Sequence, residues 1–135
     1  MEKTFVNPPE LAKPTGFSYA ARVRDGATIY FAGQTSVNAA GEIVGAGDIV
    51  AQFRQAVANM QVVAVASGAT LQDIVKLNIF VTDISAYLSN ARNIGAIYRE
   101  FFGKHFPAMT LVEVKRLFDE KAMIEIEGVA VIAEN

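Results

Sequence analysis

The strongest constraint in this sequence of 135 residues is the alternation of its last apolar stretch, residues 123–132. Side chains of a β-strand point alternately to the two faces of a sheet, so this stretch has two different faces. The first face carries Ile124, Ile126, Gly128, Ala130 and Ile132. The second face carries Met123, Glu125, Glu127, Val129 and Val131. A closed core disfavours the two carboxylates, and solvent disfavours the apolar groups beside them. The second face therefore fits a subunit interface or the wall of a cleft. The alternative is an edge strand whose acids stay in solvent.

Composition limits the kinds of site that the chain can build. The length predicts a single domain over residues 1–135, and 52% apolar residues are enough for a substantial core. The absence of cysteine excludes disulfides and thiolate catalysis, and His105 alone cannot form a multi-histidine metal site. We expect neither a metal nor a cofactor. The formal charge of −2, without a run of basic residues, argues against a nucleic-acid partner.

The N-terminal segment is polar and rich in proline. Residues 1–15 hold three of the four prolines and predict an extended lead-in to the domain. This segment lacks the apolar centre of a signal peptide, and no apolar run is long enough to span a bilayer. We therefore expect a cytoplasmic protein that does not associate with membranes.

The first half of the chain predicts a hairpin followed by a helix. Residues 17–24 and 27–32 have strand character, and Asp25-Gly26 between them is a strong two-residue turn signal. Asp48 is a suitable N-cap for the helix, and Ser67-Gly68 ends it. Apolar residues recur at steps of three and four along this helix, at Val50, Phe53, Val57, Met60 and Ala64.

The second half predicts a strand, a second helix and a final pair of strands. Residues 73–81 are short and β-branched, so we expect a strand there. A helix capped by Asp83 or Ser85 follows and ends at Gly103. The final strands, residues 107–114 and 123–131, are joined by a charged turn.

This order of elements predicts a two-layer α+β fold, in which a mixed sheet carries two helices on one face. The other face is expected to carry Met109, Leu111, Val129 and Val131, and nothing remains in the chain to cover it. An uncovered apolar face is unfavourable in water, so we expect self-association.

Several fragments together resemble the Rid (reactive intermediate deaminase, YjgF-like) family. The resemblance extends from about Gly16 to Ile132, and its fragments are specific only in combination. They are Ala32-Gly33-Gln34, residues 78–83, Tyr98 with Phe101-Phe102, Phe106-Pro107-Ala108, residues 112–114 and residues 124–127. The resemblance implies a chorismate-mutase-like fold and a homotrimer with a small-molecule metabolite bound in clefts between subunits. It also implies cofactor-free hydrolysis of imines or enamines to ketones and ammonia.

This sequence departs from the deaminating members of the family at the substrate site. In those members an Arg follows Pro-Ala and grips the substrate carboxylate, whereas this chain has Met109. Phe17 replaces a Tyr, and Gly95 falls on a position that is Asn. The acid that holds the attacking water is kept as Glu125, and Gly33, whose backbone lines the family pocket, is also kept.

The resemblance thus implies Glu125 as catalytic residue and Phe17, Gly33, Met109 and Leu111 as substrate-binding residues. The first functional hypothesis is an imine or enamine hydrolase whose substrate is not the usual small imino acid. The second is a trimer that binds an apolar or aromatic metabolite without turnover, and an RNA-directed activity is the weakest. Other cations could replace the missing Arg, and the sequence alone does not rank the candidates Arg22, Arg24, Lys115 and Arg116.

Overall fold

Residues 1–134, the part of the chain that the computed structural model describes, contain six strands, three α-helices and a short 3-10 helix (Leu71–Asp73). The strands are β1 (Glu2–Val6), β2 (Ala20–Arg24), β3 (Ala27–Gln34), β4 (Ile74–Val81), β5 (Ala108–Glu113) and β6 (Ile124–Ile132). The helices are α1 (Ile49–Ala66), α2 (Ile84–Ser89) and α3 (Ala91–Phe102). Within residues 1–134, no helix has the length and apolarity needed to cross a bilayer.

Four of the strands form the main sheet, in the order β3-β6-β4-β5. β6 runs antiparallel to both of its neighbours, while β4 and β5 are parallel. The parallel pair needs a long crossover, and α2 and α3 supply it. The prediction of a mixed sheet with helices on one face is confirmed, and the fold is two-layer α+β. The pairing of the last two strands with each other was wrong, because β4 lies between β5 and β6.

The N-terminal segment takes part in a second, two-stranded sheet. β1 pairs antiparallel with β2, which the prediction of an extended lead-in did not include. The predicted hairpin of β2 with β3 was also wrong, although Asp25 and Gly26 do form the turn, with φ values of 60° and 105°. β3 pairs with β6 instead, because this places Phe31 in the core beside Gly128. Lys3 ties β1 to the main body through an ion pair with Asp73 at 3.2 Å.

Helix α1 forms as the sequence predicts. The Asp48 carboxylate accepts hydrogen bonds from the backbone N–H groups of Val50 and Ala51, which satisfies two of the free donors at the helix start. The predicted apolar stripe packs against β3 and β6. Its fully buried members are Phe53, Val57, Met60 and Ala64.

The second predicted helix is broken into α2 and α3 at Asn90. The side chain of Asn90 donates to the Ala86 carbonyl oxygen at 2.8 Å, and its backbone (φ −110°, ψ 14°) leaves the helical region. Asn competes in this way with the backbone for hydrogen bonds, so it favours helix ends over helix interiors. The outer limits were right: Asp83 caps the start of α2, and Gly103 ends α3.

The expected position of Met109 and Leu111 was wrong. The parallel register pairs Met109 with Leu77 and Leu111 with Ile79, and both partners belong to the core. Side chains at paired positions share a face, so Met109 and Leu111 point to the side of the helices. Val129 lies on the open face of the sheet as expected.

A single buried amide joins α1 to two connecting segments. The side chain of Gln52 is fully buried, and its Nε2 donates to the carbonyl oxygens of Gly45 (3.1 Å) and Lys121 (3.0 Å). Its Oε1 accepts from the Met123 N–H at 2.8 Å. The amide thus satisfies three backbone groups, one before α1 and two just before β6.

We therefore expect Gln52→Leu to lower the free energy of unfolding by roughly 2–4 kcal/mol, because three buried backbone groups lose their partner. Urea denaturation followed by circular dichroism measures this loss. Gln61→Leu, at an exposed position of the same helix, is the matched control and should change stability little. Equal effects of the two substitutions would contradict the role of the Gln52 amide.

Candidate functional site

A pocket of about 440 Å³ opens between α3 and β5 on the helix side of the sheet. Three residues expected from the sequence to bind substrate, Phe17, Met109 and Leu111, line it together. Most of the remaining lining is apolar or aromatic. These residues are Phe53, Ile79, Tyr87, Ala91, Ile94, Tyr98 and Phe106. An enclosure of this size and character suits a small organic ligand.

The wall that carries Phe17 is held by its neighbour in the chain. The Ser18 N–H donates to the Pro107 carbonyl oxygen at 3.0 Å, and the Ser18 hydroxyl donates to the Phe106 carbonyl oxygen at 2.6 Å. These two bonds fix the segment before β2 against the start of β5. Phe17 and Met109 therefore face the same pocket although they lie far apart in the sequence.

Ring stacking and hydrogen bonds hold the aromatic wall of the pocket together. The ring of Tyr98 stacks on Phe102 and Phe106, with centroid distances of 4.4 and 5.8 Å. Its hydroxyl donates to the His105 carbonyl oxygen at 2.6 Å, and burial raises the pKa of this phenol. Nε2 of His105 lies 2.7 Å from the Ile74 carbonyl oxygen, to which it donates as N–H. Both side chains therefore serve the packing of this wall.

Three polar residues of the lining, Thr15, Tyr87 and Arg99, have no side-chain hydrogen bond within residues 1–134. Burial raises the pKa of Tyr87, so its hydroxyl stays protonated, and it makes no hydrogen bond within residues 1–134. Arg99 is the one charged residue of the lining in the described chain. None of the four cations considered from the sequence lines the pocket, so Arg99 was missed. Its position one helical turn after Gly95, which aligns with a family site residue, was the only sequence signal that Arg99 belongs to the site.

The other two expected site residues, Gly33 and Glu125, lie together but apart from this pocket. The register of β3 on β6 shifts between Phe31 and Gln34, and Gly33 sits in this irregularity. A Cβ at Gly33 would overlap Oε1 of Glu125 and lie 2.8 Å from its carboxyl carbon. The missing side chain therefore leaves the space that the Glu125 carboxylate occupies.

The two acids of the open sheet face have different surroundings. Glu127 Oε1 accepts a hydrogen bond from Asn78 Nδ2 at 3.1 Å. The Glu125 carboxylate is half-buried, and within residues 1–134 it has neither a hydrogen-bond donor nor an ion-pair partner. Glu125 is thus the acid of β6 that is free to hold a water or a ligand.

In a single copy of the chain, the pocket residue Met109 and the acid Glu125 lie on opposite faces of the sheet. Ile124 and Ile126 are buried under the helices, so Glu125 between them points to the open face. Met109 points to the helix side. No group of three or more His, Asp or Glu side chains in residues 1–134 could hold a metal ion.

Comparison with known proteins agrees with this architecture. A family model described as Endoribonuclease L-PSP matches residues 11–132. A 2-iminobutanoate/2-iminopropanoate deaminase of Dermatophagoides farinae is 35% identical over 130 residues, which covers 96% of this chain and 97% of the relative. A deaminase of the same name from Escherichia coli K12 is 38% identical over 117 residues, covering 84% and 86% of the two chains.

Solved structures of similar proteins include members of the Rid family. YyfB of Yersinia pestis, a Rid family protein of unknown function, superposes with a TM-score of 0.85 at 34% identity, covering 98% of this chain and 100% of its own. TdcF of E. coli, solved with bound serine, has a TM-score of 0.67 at 30% identity, and 91% of each chain is covered. The chain therefore belongs to the Rid (YjgF-like) family.

Proposed function

We propose that this protein is a cofactor-free hydrolase that converts an apolar or aromatic imine, or its enamine tautomer, to the ketone and ammonia. The observation that carries this proposal is the Glu125 carboxylate, which is half-buried, unpartnered and seated against the bare backbone of Gly33. A carboxylate in this position is suited to orient a water molecule toward an electrophilic carbon. The named activity of the deaminase relatives supports the same reaction type.

The proposed reaction needs one base that later acts as an acid. Glu125 accepts a proton from water as the oxygen attacks the carbon of the protonated C=N bond, which gives a tetrahedral amino alcohol. Glu125 then gives this proton to the nitrogen. As the C–N bond breaks and the C=O bond forms, Glu125 accepts the hydroxyl proton, ammonia leaves, and the proton passes to solvent. One water is consumed and one ammonia released per imine, so no oxidant or reductant is needed.

The pocket supports a substrate different from a small imino acid. At the position where an arginine would grip a carboxylate, Met109 presents a neutral thioether, and Phe17 beside it adds no hydroxyl. Losing charge-assisted hydrogen bonds costs roughly 1.5–3 kcal/mol each, so 2-iminopropanoate should be held poorly. An apolar or aromatic body would instead fill the space against Met109 and the aromatic wall.

The proposed active site is assembled from two copies of the chain. Because Glu125 and Met109 lie on opposite faces of one sheet, a cleft that uses both residues needs the pocket of one copy and the open face of another. We propose a homotrimer, with three such clefts and a cytoplasmic location. Exposed apolar side chains support self-association: Phe118 is fully exposed, and Tyr30 on the open face is 80% exposed.

A second candidate is a trimer that binds a small apolar metabolite without turnover. Met109 in place of a charged residue favours this candidate, because a mainly apolar pocket can bind a ligand without activating it for reaction. An RNA-directed activity is less well supported. The chain carries a net charge of −2, and its sequence has no run of basic residues to neutralise phosphates.

We expect ammonia release from a freshly generated apolar imine, such as the imine of 4-phenylbutan-2-one, to be faster than release from 2-iminopropanoate. Glu125→Gln should lower the rate by about 100-fold or more, since the general base is lost. Glu127→Gln, two residues along the same face, is the matched control and should keep most of the activity. Folded wild-type protein that releases no ammonia from any imine would favour the binding function.

We expect sedimentation velocity at micromolar concentration to show a trimer. Phe118→Ser should shift the distribution toward smaller species, because a fully exposed aromatic ring is stabilising only when a second copy covers it. Val62→Ser, on the exposed side of α1, should leave the distribution unchanged. A stable wild-type monomer would contradict the shared cleft.

A further inference from the structure

We infer that Arg99 binds the anionic end of the ligand, so that the pocket takes carboxylates with an apolar or aromatic body. This inference rests on the proposed function for the location of the ligand and defines its chemical class. The cation then lies on α3 and is none of the four candidates Arg22, Arg24, Lys115 and Arg116.

Arg99 has no internal anion. It lines the pocket, and within residues 1–134 its guanidinium forms no ion pair. The adjacent acid, Glu100, is already engaged by Arg54 in a bidentate pair of 2.8 and 3.0 Å, and the Arg54 hydrogen bond lowers the pKa of Glu100. A guanidinium has five donors arranged to match a carboxylate. Arg99 is therefore the cation of the pocket lining that remains available to a ligand.

A small residue, Gly95, lies beside the guanidinium of Arg99. It lies in the interior of α3, one turn before Arg99, and a Cβ placed on it would be 3.5 Å from Nη1 of Arg99. That is an ordinary contact, so packing does not exclude alanine, which is more favourable than glycine inside a helix. A longer side chain at this position would compete with the guanidinium. A residue no larger than alanine at position 95 therefore keeps the place of the Arg99 guanidinium open.

The remaining lining defines the rest of the ligand. The body of the ligand contacts Met109, Leu111 and the stacked ring of Tyr98, which offer no charge. The free hydroxyl of Tyr87 supplies one further donor. A carboxylate held at Arg99 by a body long enough to reach Met109 differs from a small imino acid. The corresponding substrate class is the 2-imino acid with an aromatic or branched side chain, where the acid group points to α3.

The ordinary alternative is that Arg99 serves only as a cation near the C-terminal end of α3, where positive charge is favourable. That role predicts a small effect of substitution on stability and none on ligand selectivity. Selectivity between an acid and its neutral amide therefore separates the two explanations. Such a binding test also needs no turnover.

The experiment is a calorimetric titration of the assembled protein with 3-phenylpropanoate and with its neutral amide, 3-phenylpropanamide. Wild type should bind the acid about tenfold more tightly than the amide, a moderate preference because Arg99 is exposed to solvent. Arg99→Gln should remove this preference, and Arg99→Lys should restore part of it. Arg92→Gln, on the same helix but outside the pocket lining, should keep the preference.

Two results would overturn the inference: equal binding of acid and amide by wild type, or an acid preference that persists in Arg99→Gln. The titration is repeated with Glu125→Gln to separate this inference from the proposed hydrolysis. Acid-selective binding that survives in Glu125→Gln, in a protein that releases no ammonia from imines, would support Arg99 while rejecting turnover.

Discussion

The alternation of β6 is the constraint on which the rest of this structure depends. Ile124 and Ile126 are fully buried against the helices, and their burial fixes the direction of Glu125 between them. β6 is hydrogen-bonded on both sides, so a shift by one residue would bury the carboxylates and expose the core residues. The hydrophobic effect thus places a chemically useful acid, and Gly33 on the neighbouring strand leaves room for it.

Local patterns predicted most elements, and long-range pairing accounts for the errors. The cap and apolar stripe of α1 and the limits of the crossover helices followed from local chemistry at Asp48, Asp83 and Gly103. The face of the sheet to which Met109 points could not be predicted in this way. It depends on a parallel register with β4 that residues 108–113 do not encode locally. For the same reason the sequence paired β2 with the wrong strand. The break at Asn90 depends on one side-chain hydrogen bond, which the apolar periodicity of the helix concealed.

The site was predictable in its parts but not in its arrangement. The five residues singled out from the sequence separate into Phe17, Met109 and Leu111 in the pocket, and Gly33 with Glu125 on the open face. Arg99 was missed because a cation on a predicted helix ordinarily indicates a solvated surface. Its significance emerges only with the pocket and with Gly95 one turn away. The separation of the two groups is also the physical reason to propose that one active site uses two copies of the chain.

Mixing two inactive variants tests this shared site most directly. Glu125→Gln removes the base but keeps the pocket, whereas Leu111→Arg fills the pocket with a charged side chain but keeps the base. After unfolding, mixing in equal amounts and refolding, about a quarter of the clefts in random trimers should combine an intact pocket with an intact base. We expect ammonia release, strongly reduced in each variant alone, to return in the mixture to a corresponding fraction of the wild-type rate. Mixed trimers that remain inactive would contradict it.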